Sequence, residues 1–234
     1  MQTMIRKLLT AAFCVAMFST AANAQKGFAS NLFPEIWGGE QSLNIDSDLD
    51  KVEGDFNQDG IKDLVVIALP KDPLHMRTRE EDGYVYNFNK RVLAIYFGQS
   101  DGKLKRFKEY NNTIPGDDEE NENCSHEIDL TVNAKGVIRI AVGVFCSAGG
   151  TEVPKTEYVF RYQNSDFFLI GKDYGSFSRY SGEATKVSEN YLTHKKQTIT
   201  YNLFEEGEEN EKWTNLPVTP LQKLGAKLLS AFDE

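Results

Sequence analysis

An Asp- and Asn-rich stretch running straight into an apolar run is the strongest constraint on how this chain can fold. Asp55-Phe56-Asn57-Gln58-Asp59-Gly60-Ile61-Lys62-Asp63 is followed without a break by Leu64-Val65-Val66-Ile67-Ala68-Leu69. The apolar run is of strand length, rich in β-branched residues and free of polar alternation, which reads as a strand buried on both faces. A turn-forming loop that feeds directly into such a strand commits the domain to a sheet. Val92-Leu93-Ala94-Ile95-Tyr96-Phe97 repeats the pattern. Ser100-Asp101-Gly102 then supplies turn chemistry before a polar, alternating segment around Leu104 and Phe107, the signature of a hairpin.

More strand patterns follow at short intervals. Val137 to Phe145 is apolar apart from Arg139 and Gly143. Tyr158, Phe160 and Tyr162 alternate with Val159 and Arg161, so the aromatics share one face. Asn164-Ser165 reads as a tight turn into Phe167-Phe168-Leu169-Ile170, and Ile199, Tyr201 and Leu203 alternate with polar residues. Near the end, Thr219 and Pro220 precede Leu221, Leu224, Leu228, Leu229 and Phe232 at helical spacing. The expectation is a mainly β (β-rich α+β) domain, one antiparallel or mixed curved sheet with a C-terminal helix.

The first residues read as an address. Arg6 and Lys7 precede the apolar stretch Leu8 to Phe18, and Ala22-Asn23-Ala24 supplies a small-x-small cleavage pattern. Residues 1–24 are therefore expected to be a cleavable signal peptide, and 25–234 a single domain that is periplasmic or secreted. The apolar stretch falls short of the roughly 20 residues a spanning helix needs, and no later segment resembles a transmembrane span. Cleavage removes two cations and no acid, so the remainder is more acidic than the formal charge of −9. Such a surface repels phosphate backbones, so neither nucleic acid nor an anionic lipid surface is the expected partner. Two cysteines remain, Cys124 and Cys146, and in an oxidising compartment an isolated pair reads as a disulfide. It would stabilise the fold by roughly 3 kcal/mol in the chain-entropy picture.

The Asp-rich stretch carries the chemistry. Oxygen-bearing side chains occupy loop positions 1, 3, 5 and 9, and Gly60 occupies position 6. Ca²⁺ takes six to eight hard oxygen ligands, and alternate positions let Asp55, Asn57 and Asp59 converge. Gly60 permits the backbone reversal, Ile61 offers its carbonyl, and Asp63 completes the set directly or through water. Position 12, a bidentate Glu in an EF-hand, is Val66 within the apolar strand, so weak to moderate affinity is expected. The run Gly54 to Val66 resembles the calcium-binding loop of FG-GAP and VCBS-type repeats, known from integrin α-chain propellers and secreted bacterial proteins. That resemblance implies Ca²⁺ at Asp55, Asn57, Asp59, Ile61 (carbonyl) and Asp63. It occurs once over about 15 residues, whereas a propeller needs at least four four-stranded blades; a full propeller is not expected. The whole chain also looks like small exported bacterial proteins bearing a single such loop.

No catalytic constellation stands out. His75, His126 and His194 lie far apart, and Ser147-Ala148-Gly149-Gly150 lacks a Gly-x-Ser-x-Gly elbow. The acidic runs Asp117 to Glu120 and Glu205 to Glu209 read as solvated loop tips. Tyr174, Phe177 and Tyr180 lie in a Gly/Ser/Arg-containing stretch and are candidates to stack on a glycan or a protein partner. The functional expectation is a non-enzymatic, calcium-binding envelope or secreted interaction module, with a cell-envelope protein or glycan as partner. The alternative is a secreted hydrolase acting on glycans or peptides, with a structural Ca²⁺.

Overall fold

The computed structural model describes residues 49–117, 123–147, 152–205, 207 and 209–232. The chain divides into two compact units, Met1–Leu49 and Asp50–Glu234; apart from Leu49, the elements below belong to the second. The expected signal peptide, the segment after it and most of the first acidic run lie outside the described residues.

Among the described residues, thirteen strands build three antiparallel arrangements. The chain runs β1 (Leu49–Gly54), β2 (Asp63–Ala68), a 3-10 turn (Pro73–His75), β3 (Met76–Thr78), β4 (Val85–Asn87), β5 (Arg91–Gly98) and β6 (Leu104–Ile114). It continues with β7 (Cys124–Val132), β8 (Ile138–Cys146), β9 (Lys155–Gln163), β10 (Asp166–Phe177), β11 (Glu183–Asn190), β12 (Lys195–Asn202) and β13 (Asn210–Asn215). One sheet has the order β1-β2-β5-β6, the other is an unbroken meander from β7 to β13, and β3-β4 is a small ribbon inserted between β2 and β5. These are open antiparallel sheets and not a closed propeller. Short turns suit a meander: Asn164 and Ser165 both adopt positive φ (50° and 61°), the conformation that a two-residue hairpin turn requires.

The apolar runs form the interior as their patterns dictate. Every residue of β2 is buried. Val65 and Ile67 of β2, Leu93 and Ile95 of β5, and Tyr110 and Ile114 of β6 meet Ile138, Ile140 and Val142 of β8. Tyr158 and Phe160 of β9 and Phe167 and Leu169 of β10 complete this core. Rings join the two sheets: Phe167 lies 5.9 Å from Phe107 and 6.5 Å from Phe97, while Tyr162 lies 5.2 Å from Phe97. Cys124 and Cys146 face each other in the β7–β8 register and are bonded, S–S 2.03 Å.

The C-terminal leucines do not form the expected helix. Residues 216–232 form an irregular strap several of whose backbone groups bond to the sheets, with one turn bond from Ala226 N–H to the Lys223 carbonyl (3.1 Å). Leu224 N–H donates to the Phe167 carbonyl (2.9 Å), Leu169 N–H to the Gln222 carbonyl (2.8 Å), and Leu229 N–H to the Thr113 carbonyl (2.8 Å). Thr156 Oγ1 donates to the Ala231 carbonyl (2.9 Å). Gly225 sits at φ +84°, and a Cβ there would run into the Tyr110 ring. Helical spacing overstated the apolar stripe: Leu224, Leu229 and Ala231 are buried, but Leu228 and Phe232 are exposed. Lys223 pins the strap to the start of β10 through Asp166 (3.0 Å), with Lys108 at 3.7 Å.

Two outcomes are expected. Phe167 is fully buried, so Phe167→Ala should cost about 3–5 kcal/mol in urea melts, while Tyr180→Ala, at 90 % exposure, should stay within about 0.5 kcal/mol. Burial alone would raise the Asp166 carboxyl, but its bonds from Lys223 and the Phe167 amide, together with the charge of Lys108, hold it below the ordinary carboxylate range. A depressed acid stabilises the fold above its unfolded pKa, about 3.9, and loses that contribution as pH falls through the folded value. Asp166→Asn should therefore destabilise by about 1 kcal/mol at pH 7. Its deficit against the native protein should shrink in melts taken below about pH 4.

Candidate metal loop and surrounding features

Residues 55–62 connect β1 to β2 through a ring of side chain to backbone bonds. The Asp55 carboxylate accepts Asp59 N–H at Oδ1 (3.1 Å) and Gly60 N–H at Oδ2 (3.0 Å). Asn57 Oδ1 accepts Asp59 N–H (3.0 Å), and Asp59 Oδ1 accepts Ile61 N–H (2.8 Å). These are the Asx-type turns that short acidic and amide side chains form with the amides just ahead of them. Gln58 and Gly60 take positive φ (61° and 85°), which lets the backbone double back within a few residues.

Asp63 plays a different part. It opens β2 and is 1 % exposed. Its Oδ2 accepts from Phe56 N–H (2.8 Å) and Asn57 N–H (3.4 Å), and its Oδ1 accepts from Gly98 N–H at the end of β5 (2.9 Å). Burial pushes this carboxyl upward; the three amides pull against that without cancelling it. Asp63 thus fastens the start of the loop to its end and to the neighbouring strand.

The loop is wedged against both sheets. Phe56 is 2 % exposed and meets Phe167 edge-on at 6.4 Å. A Cβ on Gly98 would strike the Lys62 carbonyl, and a Cβ on Gly136, in the β7–β8 turn, would strike the Asp55 carbonyl. Gln58 Nε2 donates to the Lys135 carbonyl in that same turn (3.4 Å). Ile61 is half-buried against Gly98.

Chemically, the loop offers hard oxygen donors and no soft ones. Among the described residues, no group of three or more His, Cys, Asp or Glu side chains is placed to hold a metal ion. The set read from the sequence draws on an amide and a carbonyl besides its carboxylates, and each carboxylate oxygen that accepts one backbone N–H keeps a second lone pair. The donor chemistry of the set, carboxylate, amide and carbonyl oxygens, is of the hard kind that Ca²⁺ takes.

The other sequence candidates separate. Tyr174 and Phe177 lie on opposite faces of β10, and Tyr180 projects from the following turn, so the three do not form one stacking platform. Tyr174 Oη bonds Glu189 (3.2 Å) and accepts from Lys196 Nζ (2.7 Å) on the core-facing side. His75 lies in the 3-10 turn, His126 on β7 and His194 in the β11–β12 turn. Among the described residues no helix is long and apolar enough to cross a membrane. Sequence reading missed a groove on the outer face of β9–β12, because its lining comes together only through strand register.

No family model, curated protein or solved structure matches the chain.

Asp63→Asn should destabilise the protein by about 1–3 kcal/mol even in chelator, because an amide cannot accept all three backbone donors. Under the same conditions the exposed Asp59→Ala should cost well under that. Urea melts in EDTA check the ordering; equal costs would deny Asp63 its anchoring role.

Proposed function

We propose that this protein is an exported, calcium-stabilised and non-catalytic binding module, its ion held by Asp55, Asn57, Asp59, the Ile61 carbonyl and Asp63. The observation that carries the reading is the docking of the loop: its backbone is already bent around its own carboxylates and wedged between the two sheets by Gly98, Gly136 and Phe56. An ion at its outer side would offset the repulsion among Asp55, Asp59 and Asp63, which Lys62 does not neutralise because it is paired with Glu53 (3.3 Å). The FG-GAP-like sequence of the loop supports the same assignment. Export is supported by the leader-like first residues and by the Cys124–Cys146 bond, the kind of link that persists in oxidising compartments.

The reading is tested by melting the protein with and without about 5 mM Ca²⁺, with Mg²⁺ and Asp59→Ala as controls. A site of the affinity common in extracellular modules, about 0.5 mM, adds roughly 1.4 kcal/mol at that concentration. For a domain of this size that is a rise of about 3–6 °C in Tm. A native protein indifferent to Ca²⁺, or an Asp59→Ala variant that responds equally, would overturn it.

A further inference from the structure

The outer face of the meander, turned away from the core, carries a groove of about 550 Å³ across β9–β12. Strand register fixes what lines it, because residues directly opposite in an antiparallel pair point to the same face. Gly143, Lys155, Gly175, Lys186 and Ile199 form one row across five strands, which Glu127 on β7 and Glu211 on β13 close at its two ends. Phe177, Ala184 and Tyr201 form the row toward one end, beside Val153. Glu157, Asp173, Ser188 and Gln197 form the row toward the other.

The charges in these rows are unevenly matched. Glu157 and Asp173 are countered by Arg139, which pairs with Glu157 and lies 3.7 Å from Asp173. Lys155 and Lys186 are in no ion pair among the described residues; Lys186 only covers the Tyr201 ring at 5.1 Å. Between the two lysines stands Gly175, where a Cβ would collide with the Thr185 carbonyl. Two ammoniums outside any ion pair among the described residues therefore flank a gap without a side chain, at the edge of an apolar patch made by Val153, Phe177, Ile199 and Tyr201. The net acidity of the chain opposes extended anionic surfaces. It does not oppose one small anion seated between two local cations, where charge-assisted hydrogen bonds are short and strong.

We propose that this groove binds a single-chain amphiphilic carboxylate, its head group between Lys155 and Lys186 above Gly175 and its chain along Val153, Phe177, Ile199 and Tyr201. The charge complementarity selects the head group, and the apolar row selects the tail. The volume lies within the range of small-ligand sites, about 300–1,000 Å³. This assignment is independent of the Asp55–Asp63 loop.

The probe is decanoate below its aggregation concentration, titrated calorimetrically against the intact protein, with decanol and decyltrimethylammonium as neutral and cationic counterparts. Decanoate should bind one to one, at least tenfold tighter than either counterpart and more weakly as salt is raised. Lys155→Gln combined with Lys186→Gln, and separately Ile199→Asp, should each weaken it at least tenfold while leaving Tm within a few degrees. In the native protein, decanoate should also protect Lys155 and Lys186 from amine acylation mapped by mass spectrometry, a readout that needs no variant. Equal affinity for decanoate and decanol, unchanged affinity in the double variant, or absence of protection would each overturn the proposal.

Discussion

Phe167 holds the molecule together in a literal sense, because its ring is where three separate parts of the chain meet. It comes from β10 of the meander and packs on Phe97 and Phe107 of the smaller sheet, on Tyr162 of β9, and on Phe56 of the Asp-rich loop. Aromatic pairs of this kind contribute about 0.5–1.5 kcal/mol each beyond the area they bury. The larger effect is geometric. A sheet pair can slide on a uniform aliphatic interface, whereas interlocked rings in edge-on and tilted contact fix the position of one sheet against the other. Once that position is fixed, Gly98 and Gly136 form a slot of one size, and the loop fits it only as bent.

The loop is consequently held in its bent course by the core and by its own backbone. Its three outer side chains are held by their own backbone amides, and Asp63 is buried under three more. Ordering a flexible loop around a cation would cost roughly 1–2 kcal/mol per residue in backbone entropy. A loop ordered in advance avoids most of that cost, which is what the proposed Ca²⁺ site would draw on. The same preorganisation separates two roles that look identical in sequence: the loop carboxylates differ in burial, and Asp63 alone among them is buried under backbone donors from the start of the loop and from β5.

Much of the sheet architecture was legible because it rests on local patterns. The two-sided burial of Leu64 to Ala68, the hairpin at Ser100 to Gly102 and the shared face of Tyr158, Phe160 and Tyr162 follow from composition and alternation alone, and the structure places them so. The Cys124–Cys146 bond was legible by elimination. The C-terminal helix failed because Leu221 to Phe232 has helical spacing but finds better partners for its backbone on β10 and β6. Short isolated helices are marginal in water, so tertiary hydrogen bonds and burial of Leu224 and Leu229 decide the conformation. For Tyr174, Phe177 and Tyr180, proximity in sequence suggested a cluster that strand alternation takes apart.

That alternation itself depends on one irregularity in β10. Up to Leu169 the odd-numbered residues face the core: Phe167 lies opposite Tyr162, and Leu169 opposite Phe160. The register then slips by one, so that Gly171 lies opposite Val159 and Lys172 opposite Tyr158, and from there the even-numbered residues face inward. The slip falls where β10 changes partners. Phe167 and Leu169 exchange backbone bonds with the strap at Gln222 and Leu224, while pairing with β11 begins at Gly171, opposite Asn190. A strand that must serve an irregular segment first and a regular strand afterwards accommodates the mismatch with an extra residue, as β-bulges do. Without the slip, Gly175 and Phe177 would face the core, and Tyr174 would stand opposite Lys155. The strap that replaces the expected helix thus dictates, through the bulge, which residues line the outer groove.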